Sequence, residues 1–172
     1  GADNIFSIND ENVKTSLKQT GKEGETKDGV DIAFCVINFK TSHLSFAGAN
    51  LPVYIAHNEI YDLENRLQTI KGDKMPIGIY INEKESFTNN DIQLQKGDCI
   101  YLSTDGYIDQ PGGTSERKFL SKKFEQLLAE ISVDTIENQK NKIENTFNDW
   151  ISQNPAKTYK QIDDVTVVGI KL

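Results

Sequence analysis

The final apolar run of the chain, Val165-Thr166-Val167-Val168-Gly169-Ile170, comes after two helical segments, so the sheet begun by earlier runs must take in a last strand once helices have been laid down. Those earlier runs are short and separated by polar turns. Ile32–Phe39 is apolar almost throughout, as a strand buried on both faces would be. Leu44–Ala47 and Pro52–Ala56, separated by Gly48-Ala49-Asn50, predict a hairpin, and Asn58-Glu59 predicts a turn into Ile60–Leu63. Phe87–Leu94 and Asp98–Thr104 are two further predicted strands, with Lys96-Gly97 turning between them. Ser121 is a predicted N-cap for a helix over Phe124–Ile131, and a longer helix spans Thr135–Ser152, stopping before Asn154-Pro155. Ahead of all this, residues 3–19 predict a short helix and residues 20–30 a glycine-containing polar loop. Strands, two helices and a returning strand make an α+β domain in which helices cover a sheet or sandwich.

Composition narrows the function classes. With 172 residues, 37% hydrophobic and 26% charged, the chain is long enough for one globular domain with a real core. Its longest apolar run, Ile32–Ile37, is far too short to cross a membrane, and Gly1-Ala2-Asp3-Asn4 does not open a signal peptide. A net charge of −7 argues against nucleic acid as a partner, because a duplex binder neutralises phosphates with a basic face. Arg117, Lys122 and Lys123 form a local basic patch that reads as a solvated loop and helix start. The two cysteines, Cys35 and Cys99, lie in apolar runs and read as buried reduced thiols of a cytoplasmic protein.

Two acidic positions stand out by where they fall. Asp105 follows the apolar strand Cys99–Leu102 in Ser103-Thr104-Asp105-Gly106, and Asp163-Asp164 stands just before the last strand. Carboxylates at the ends of neighbouring strands can converge on one point, where they would repel each other unless a divalent cation joined them. Hard oxygen ligands favour Mg, Mn or Ca. Gly106 permits a sharp exit from the strand, and Asp109 could join the same site if the segment turns helically. On spacing alone an ordinary Asp-Gly turn and a charged strand start remain open as the alternative.

No competing chemistry is visible. His43 and His57 are the only histidines; both sit at expected turns without partners at metal spacing, and both read as solvated. No Gly-x-Ser-x-Gly, Walker loop, His-Glu-x-x-His or dinucleotide fingerprint occurs. Gly112-Gly113 lacks the Lys-Ser/Thr of a phosphate loop and reads as a mobile surface loop.

Taken in order, the segments resemble the latter part of SpoIIE-type phosphatase domains of the protein phosphatase 2C superfamily. Asp28–Ile37 resembles the strand opening that part, Leu44–Tyr54 its Ala-Gly-His-Asn-Pro-like turn, and Asp73–Ile79 its Pro-Leu-Gly segment. Gly97–Gln110 is similar to the Gly-Asp…Ser-Asp-Gly signature, and Gln161–Val168 to the closing Asp-Asp-φ-Thr motif, where φ is apolar. The resemblance covers nearly everything from residue 28 onward, leaving residues 1–27 as an N-terminal helix and loop of the same single domain.

The resemblance implies a β-sandwich flanked by helices, two Mn or Mg ions at one edge, and a metal-bound water that attacks phosphoserine or phosphothreonine in a protein. It makes Asp105 and Asp163 metal ligands, with Asp164 orienting the turn or binding a further ion. It also implies a bacterial signalling substrate such as an anti-sigma-factor antagonist. Two departures accompany it. Ala49 stands where the family's turn has histidine. The Gly-Gly-Asp and Asp-x-x-Gly-His-Gly motifs, which carry the remaining aspartate ligands, do not occur before residue 28. The expectation is therefore an N-terminally truncated domain with about half of its metal site, weak or inactive alone. The alternatives are a non-catalytic interaction module on the same fold, and a β-rich ligand-binding domain with Gly112-Gly113 as a lid.

Overall fold

The computed structural model describes residues 29–78 and 86–172. The helix expected over residues 3–19 and the loop up to residue 28 lie outside the described residues. The rest is a mixed α and β chain with antiparallel sheets, divided into two compact units.

The first unit takes residues up to Val53 together with Ile70–Leu94. Its sheet has the order β1-β2-β5, from β1 (Ile32–Asn38), β2 (His43–Ala49) and β5 (Asn90–Gln93). Both pairings are antiparallel, running from Ile32 opposite Ala49 and from His43 opposite Gln93. Ala47, Ala49, Met75, Ile77 and Phe87 form the local core, with Ile32 and Phe34 packed on it. The run Ile32–Ile37 is thus a strand, though at the sheet edge and half-buried rather than covered on both faces. Cys35 shares that half-buried state, and burial pushes its thiol up to about 12, so it stays protonated and unreactive at neutral pH.

The predicted hairpin between Leu44–Ala47 and Pro52–Ala56 does not form. β2 is the middle strand of its sheet, with both edges taken by β1 and β5, so β3 (Val53–Ala56) has no edge to pair with and joins a different sheet. The diversion is made by a three-residue turn: the Leu51 amide donates to the Ala49 carbonyl at 2.7 Å across Asn50, whose φ is 60°. Gly48 and Gly72 meet backbone to backbone there, and a Cβ on Gly48 would lie 2.3 Å from the Leu51 carbonyl oxygen. The Asn50 amide and the Asp73 amide complete the crossing with 2.8 Å bonds to the Asp73 and Gly48 carbonyls.

The second unit takes residues 54–69 and 95–172. Its sheet runs β4-β3-β6-β9, with β4 at Leu67–Ile70, β6 at Cys99–Ser103 and β9 at Val167–Lys171. The strand expected at Ile60–Leu63 is displaced: Asp62 caps a single helical turn, α1 (Leu63–Arg66), and the strand starts only at Leu67. Lys96-Gly97 does turn, with Gly97 at φ 92°, but it joins strands of different sheets.

Over this sheet lie α3 (Ser121–Ile131) and α4 (Ile136–Ser152), after a helical turn α2 (Gly106–Asp109) and the two-residue strands β7 (Pro111–Gly112) and β8 (Arg117–Lys118). Phe124, Leu128 and Ile131 fall on one stripe of α3 and are buried. Ser121 is the first residue of α3 rather than its cap; Leu120 precedes it at φ 76° with no side-chain capping bond. At α4 the helix starts one residue later than the expected span, because Thr135 is its N-cap: the Thr135 hydroxyl accepts from the Asn138 amide at 3.3 Å. The core gathers around Tyr107, whose ring lies 5.1 Å from Phe119, 4.7 Å from Phe124 and 5.1 Å from Phe147. The Tyr107 hydroxyl donates to the Ile143 carbonyl at 2.9 Å, which ties α2 to α4.

Gly112-Gly113 is no loose loop. β7 pairs with β8, and both glycines lie against Trp150 of α4: a Cβ on Gly112 would come within 2.4 Å of the Trp150 carbonyl oxygen. One member of the basic patch is engaged at the same place, where the Lys123 ammonium sits 4.0 Å from the centre of the Trp150 ring. No helix among the described residues is long and apolar enough to cross a membrane.

Candidate functional site

The antiparallel pairing of β6 with β9 decides which acidic residues meet. Ser103 stands opposite Val167, so the chain leaves β6 at Thr104-Asp105 where it enters β9 from Asp163-Asp164. The pairing continues one residue past the strands through Thr104. Its amide donates to the Thr166 carbonyl at 3.1 Å, its hydroxyl oxygen accepts from the Thr166 amide at 3.0 Å, and its hydroxyl donates to the Asp164 carbonyl at 2.9 Å. One short side chain thus holds both flanks of Val165.

Gly106 closes the junction sterically. A Cβ there would lie 2.4 Å from the Asp164 carbonyl oxygen, a clash with backbone that no side-chain rotation relieves. Glycine is needed for close approach, as its position after Asp105 suggested. The turn carrying Asp105 and the loop carrying Asp164 are in van der Waals contact.

The carboxylates on this frame differ in how far they are engaged. Asp105 is exposed, and among the described residues nothing hydrogen-bonds or ion-pairs with its carboxylate. Asp163 is also exposed and accepts from the Asp164 amide at 2.7 Å through Oδ1, while its carbonyl is held by the Gln161 side chain at 2.7 Å. Asp164 contributes its carbonyl to the junction and leaves its side chain in solvent. Asp109 does lie on a helical turn, its amide bonded to the Asp105 carbonyl at 2.9 Å, but its carboxylate is taken up by Lys118 at 2.9 Å. Among the described residues, no three His, Cys, Asp or Glu side chains converge closely enough to hold a metal ion unaided.

Neither Thr104 nor Gln110 stands out in the sequence as a site residue. Gln110 is fully buried, and its amide spans the gap between α2 and the segment leading to Asp163. The only sequence signal is a polar residue directly after a short run that must pack against the core. The histidines are better connected than solvated turn residues would be. His57 places Nδ1 3.4 Å from buried Asp98 and Nε2 3.0 Å from Gln68, and His43 lies 3.9 Å from Asp91.

A helix-covered antiparallel sheet, with two acidic segments adjoining at the β6/β9 end, is the α+β arrangement this chain adopts. The chain belongs to the stage II sporulation protein E (SpoIIE) family, whose model matches residues 8–172. Among solved structures it is similar to the SiaA-PP2C domain of Pseudomonas aeruginosa, with 23% identity and a TM-score of 0.79 over 99% of this chain and 61% of that one. It is also similar to the phosphatase domain of the cell fate determinant SpoIIE from Bacillus subtilis, with 13% identity and a TM-score of 0.59 over 96% of this chain and 65% of that one. That domain has also been solved after a manganese presoak. RsbX in complex with magnesium matches at 11% identity and a TM-score of 0.51, over 96% of this chain and 72% of that one. At these identities the likeness establishes a shared protein phosphatase 2C-like fold. The chain spans less than two thirds of the length of the first two structures. No curated protein sequence matches it.

Proposed function

We propose that this chain is the C-terminal portion of a metal-dependent serine/threonine protein phosphatase of bacterial signalling, with Asp105 and Asp163 as its metal ligands. The observation that carries the reading is the locked junction of the two acidic segments, where Gly106 rests on the Asp164 carbonyl and Thr104 bonds to both Asp164 and Thr166. Such rigidity is wasted on a solvated turn and suits a pair of oxygen ligands that must keep their spacing.

The donor set fits Mn or Mg. The side chains are hard carboxylates, Asp105 is uncommitted, and Asp163 keeps an oxygen free beyond the one bonded to the Asp164 amide. Relatives of the same fold have been solved after a manganese presoak and with magnesium. When bound, a pair of such ions lowers the pKa of water and neutralises charge gathering on the phosphoryl oxygens. The chain's own contribution is to present two carboxylates from adjacent strand ends, with Asp164 setting the turn between Asp163 and β9. Asp109 is left to its ion pair with Lys118. Two carboxylates supply only part of a two-ion site, so the remaining ligands come from outside the described residues. The substrate class is a phosphoserine or phosphothreonine protein, and the family resemblance favours a regulatory one such as an anti-sigma-factor antagonist.

The absence of a third converging ligand among the described residues favours a second reading, a non-catalytic interaction module. One experiment separates them. The intact protein carrying this domain is assayed with Mn2+ against phosphoserine peptides and p-nitrophenyl phosphate. The phosphatase reading expects Mn-dependent hydrolysis that disappears in Asp105→Asn and in Asp163→Asn. A folded protein that hydrolyses neither substrate would leave the interaction module as the better account.

A further inference from the structure

We infer that Gln110 is a positioning residue for the acidic loop, holding Asp163 in register with Asp105 through the backbone on either side of residue 161. The inference rests on the proposed metal site and adds to it a residue outside the ligand set.

Gln110 follows α2 directly, so the helical turn has Asp105 at its start and Gln110 at its end. Its side chain is fully buried, and each of the three hydrogen bonds it makes is to backbone. Nε2 donates to the Pro111 and Lys160 carbonyls, each at 2.9 Å, and Oε1 accepts from the Ile162 amide at 3.2 Å. Ile162 is the residue before Asp163. Only a primary amide can donate twice and accept once from one planar group, so neither a carboxylate nor an apolar side chain of the same size reproduces the set.

Gln110 is itself anchored. Its carbonyl accepts from the Phe119 amide and from Trp150 Nε1, both at 3.0 Å, fixing it to the residue after β8 and to α4. The acidic loop is therefore gripped at two points, by Gln110 at Lys160 and Ile162 and by Thr104 at Asp164 and Thr166. Asp163 lies between the grips. Loss of the Gln110 bonds frees the upstream arm while the sheet end stays paired, which lets the Asp163 carboxylate wander from Asp105.

Gln139 is the natural control. It too is a buried glutamine in this unit, bonded to Tyr101 and to the Ser132 and Asp134 carbonyls, and it makes no bond to residues 160–166. Gln110→Met and Gln139→Met are compared in the intact protein by thermal denaturation, by calorimetric titration with Mn2+, and by amide hydrogen exchange. Both variants lower Tm, as any buried amide replacement does. Only Gln110→Met is expected to weaken Mn2+ binding, by about tenfold or more, as loss of a residue that orients a ligand does. Only it is expected to speed exchange at Ile162 selectively over the β9 amides. Gln110→Glu, which keeps the acceptor for Ile162 and loses both donors, falls between; it serves also if the methionine variant does not fold. Equal loss of Mn2+ affinity in the two methionine variants, or none in Gln110→Met, overturns the inference. If the unsubstituted protein binds no Mn2+, the metal reading fails, and the exchange data decide for Gln110 alone: selective acceleration at Ile162 upholds the grip on the loop, and its absence refutes it.

Discussion

β6 has an aspartate just outside each end, and the two are put to opposite uses. Asp98, before the strand, is 1% exposed, and its carboxylate accepts from the Asn58 amide at 2.8 Å and the Gln95 amide at 3.0 Å, with His57 at 3.4 Å. Asp105, after the strand, is exposed, and among the described residues its carboxylate is engaged by nothing, while the backbone around it is held by Thr104 and Gly106. At Asp98 the side chain organises the backbone. At Asp105 the backbone organises the side chain. A buried carboxylate satisfied by amides is a structural device; an exposed, unengaged carboxylate on a rigid turn is available to a ligand.

That contrast fixes what substitution should do at each end. The largest effect is expected at the open end: Asp105→Asn and Asp163→Asn should each lower Mn-dependent phosphatase activity by at least about 100-fold, the loss of several kcal/mol of charge stabilisation, with Tm little changed. A large fall in Tm at Asp105 would break the comparison, since it would show that carboxylate to be structural as well. Gly106→Ala comes next, because its Cβ meets the Asp164 carbonyl; chemical denaturation should show a loss of about 1–3 kcal/mol, together with weaker activity. Asp98→Ala strands two amides and should destabilise by about 2 kcal/mol in the same measurement, while activity measured well below the new Tm persists. Thr104→Val removes the hydroxyl that both donates to Asp164 and accepts from Thr166, and should lose about 1 kcal/mol. Asp109→Asn should be smallest, under about 1 kcal/mol and without effect on activity, because it breaks an exposed ion pair with Lys118. A loss of activity there as large as at Asp105 would return Asp109 to the metal site.

The family, the α+β class and the four acidic positions were legible in the chain itself. β-branched and apolar runs with polar punctuation mark strands wherever they pair, and the spacing of Phe124, Leu128 and Ile131 marks a helix face whatever it covers. Asp105 and Asp163 could be singled out because each adjoins a strand end, which is a local property.

Which strands became neighbours was decided only by the tertiary structure. Leu44–Ala47 and Pro52–Ala56 have the pattern of a hairpin, yet both edges of β2 were filled by strands distant or upstream in sequence, and β3 paired elsewhere. The same holds at the site. Asp105 and Asp164 are nearly sixty residues apart, and nothing local requires Gly106 to rest on the Asp164 carbonyl or Gln110 to reach Lys160 and Ile162. Local periodicity records what a segment can become. Edge availability, close backbone approach and the satisfaction of buried amides are properties of segments already brought together, and they chose the arrangement in which the turn after β6 adjoins the acidic loop before β9.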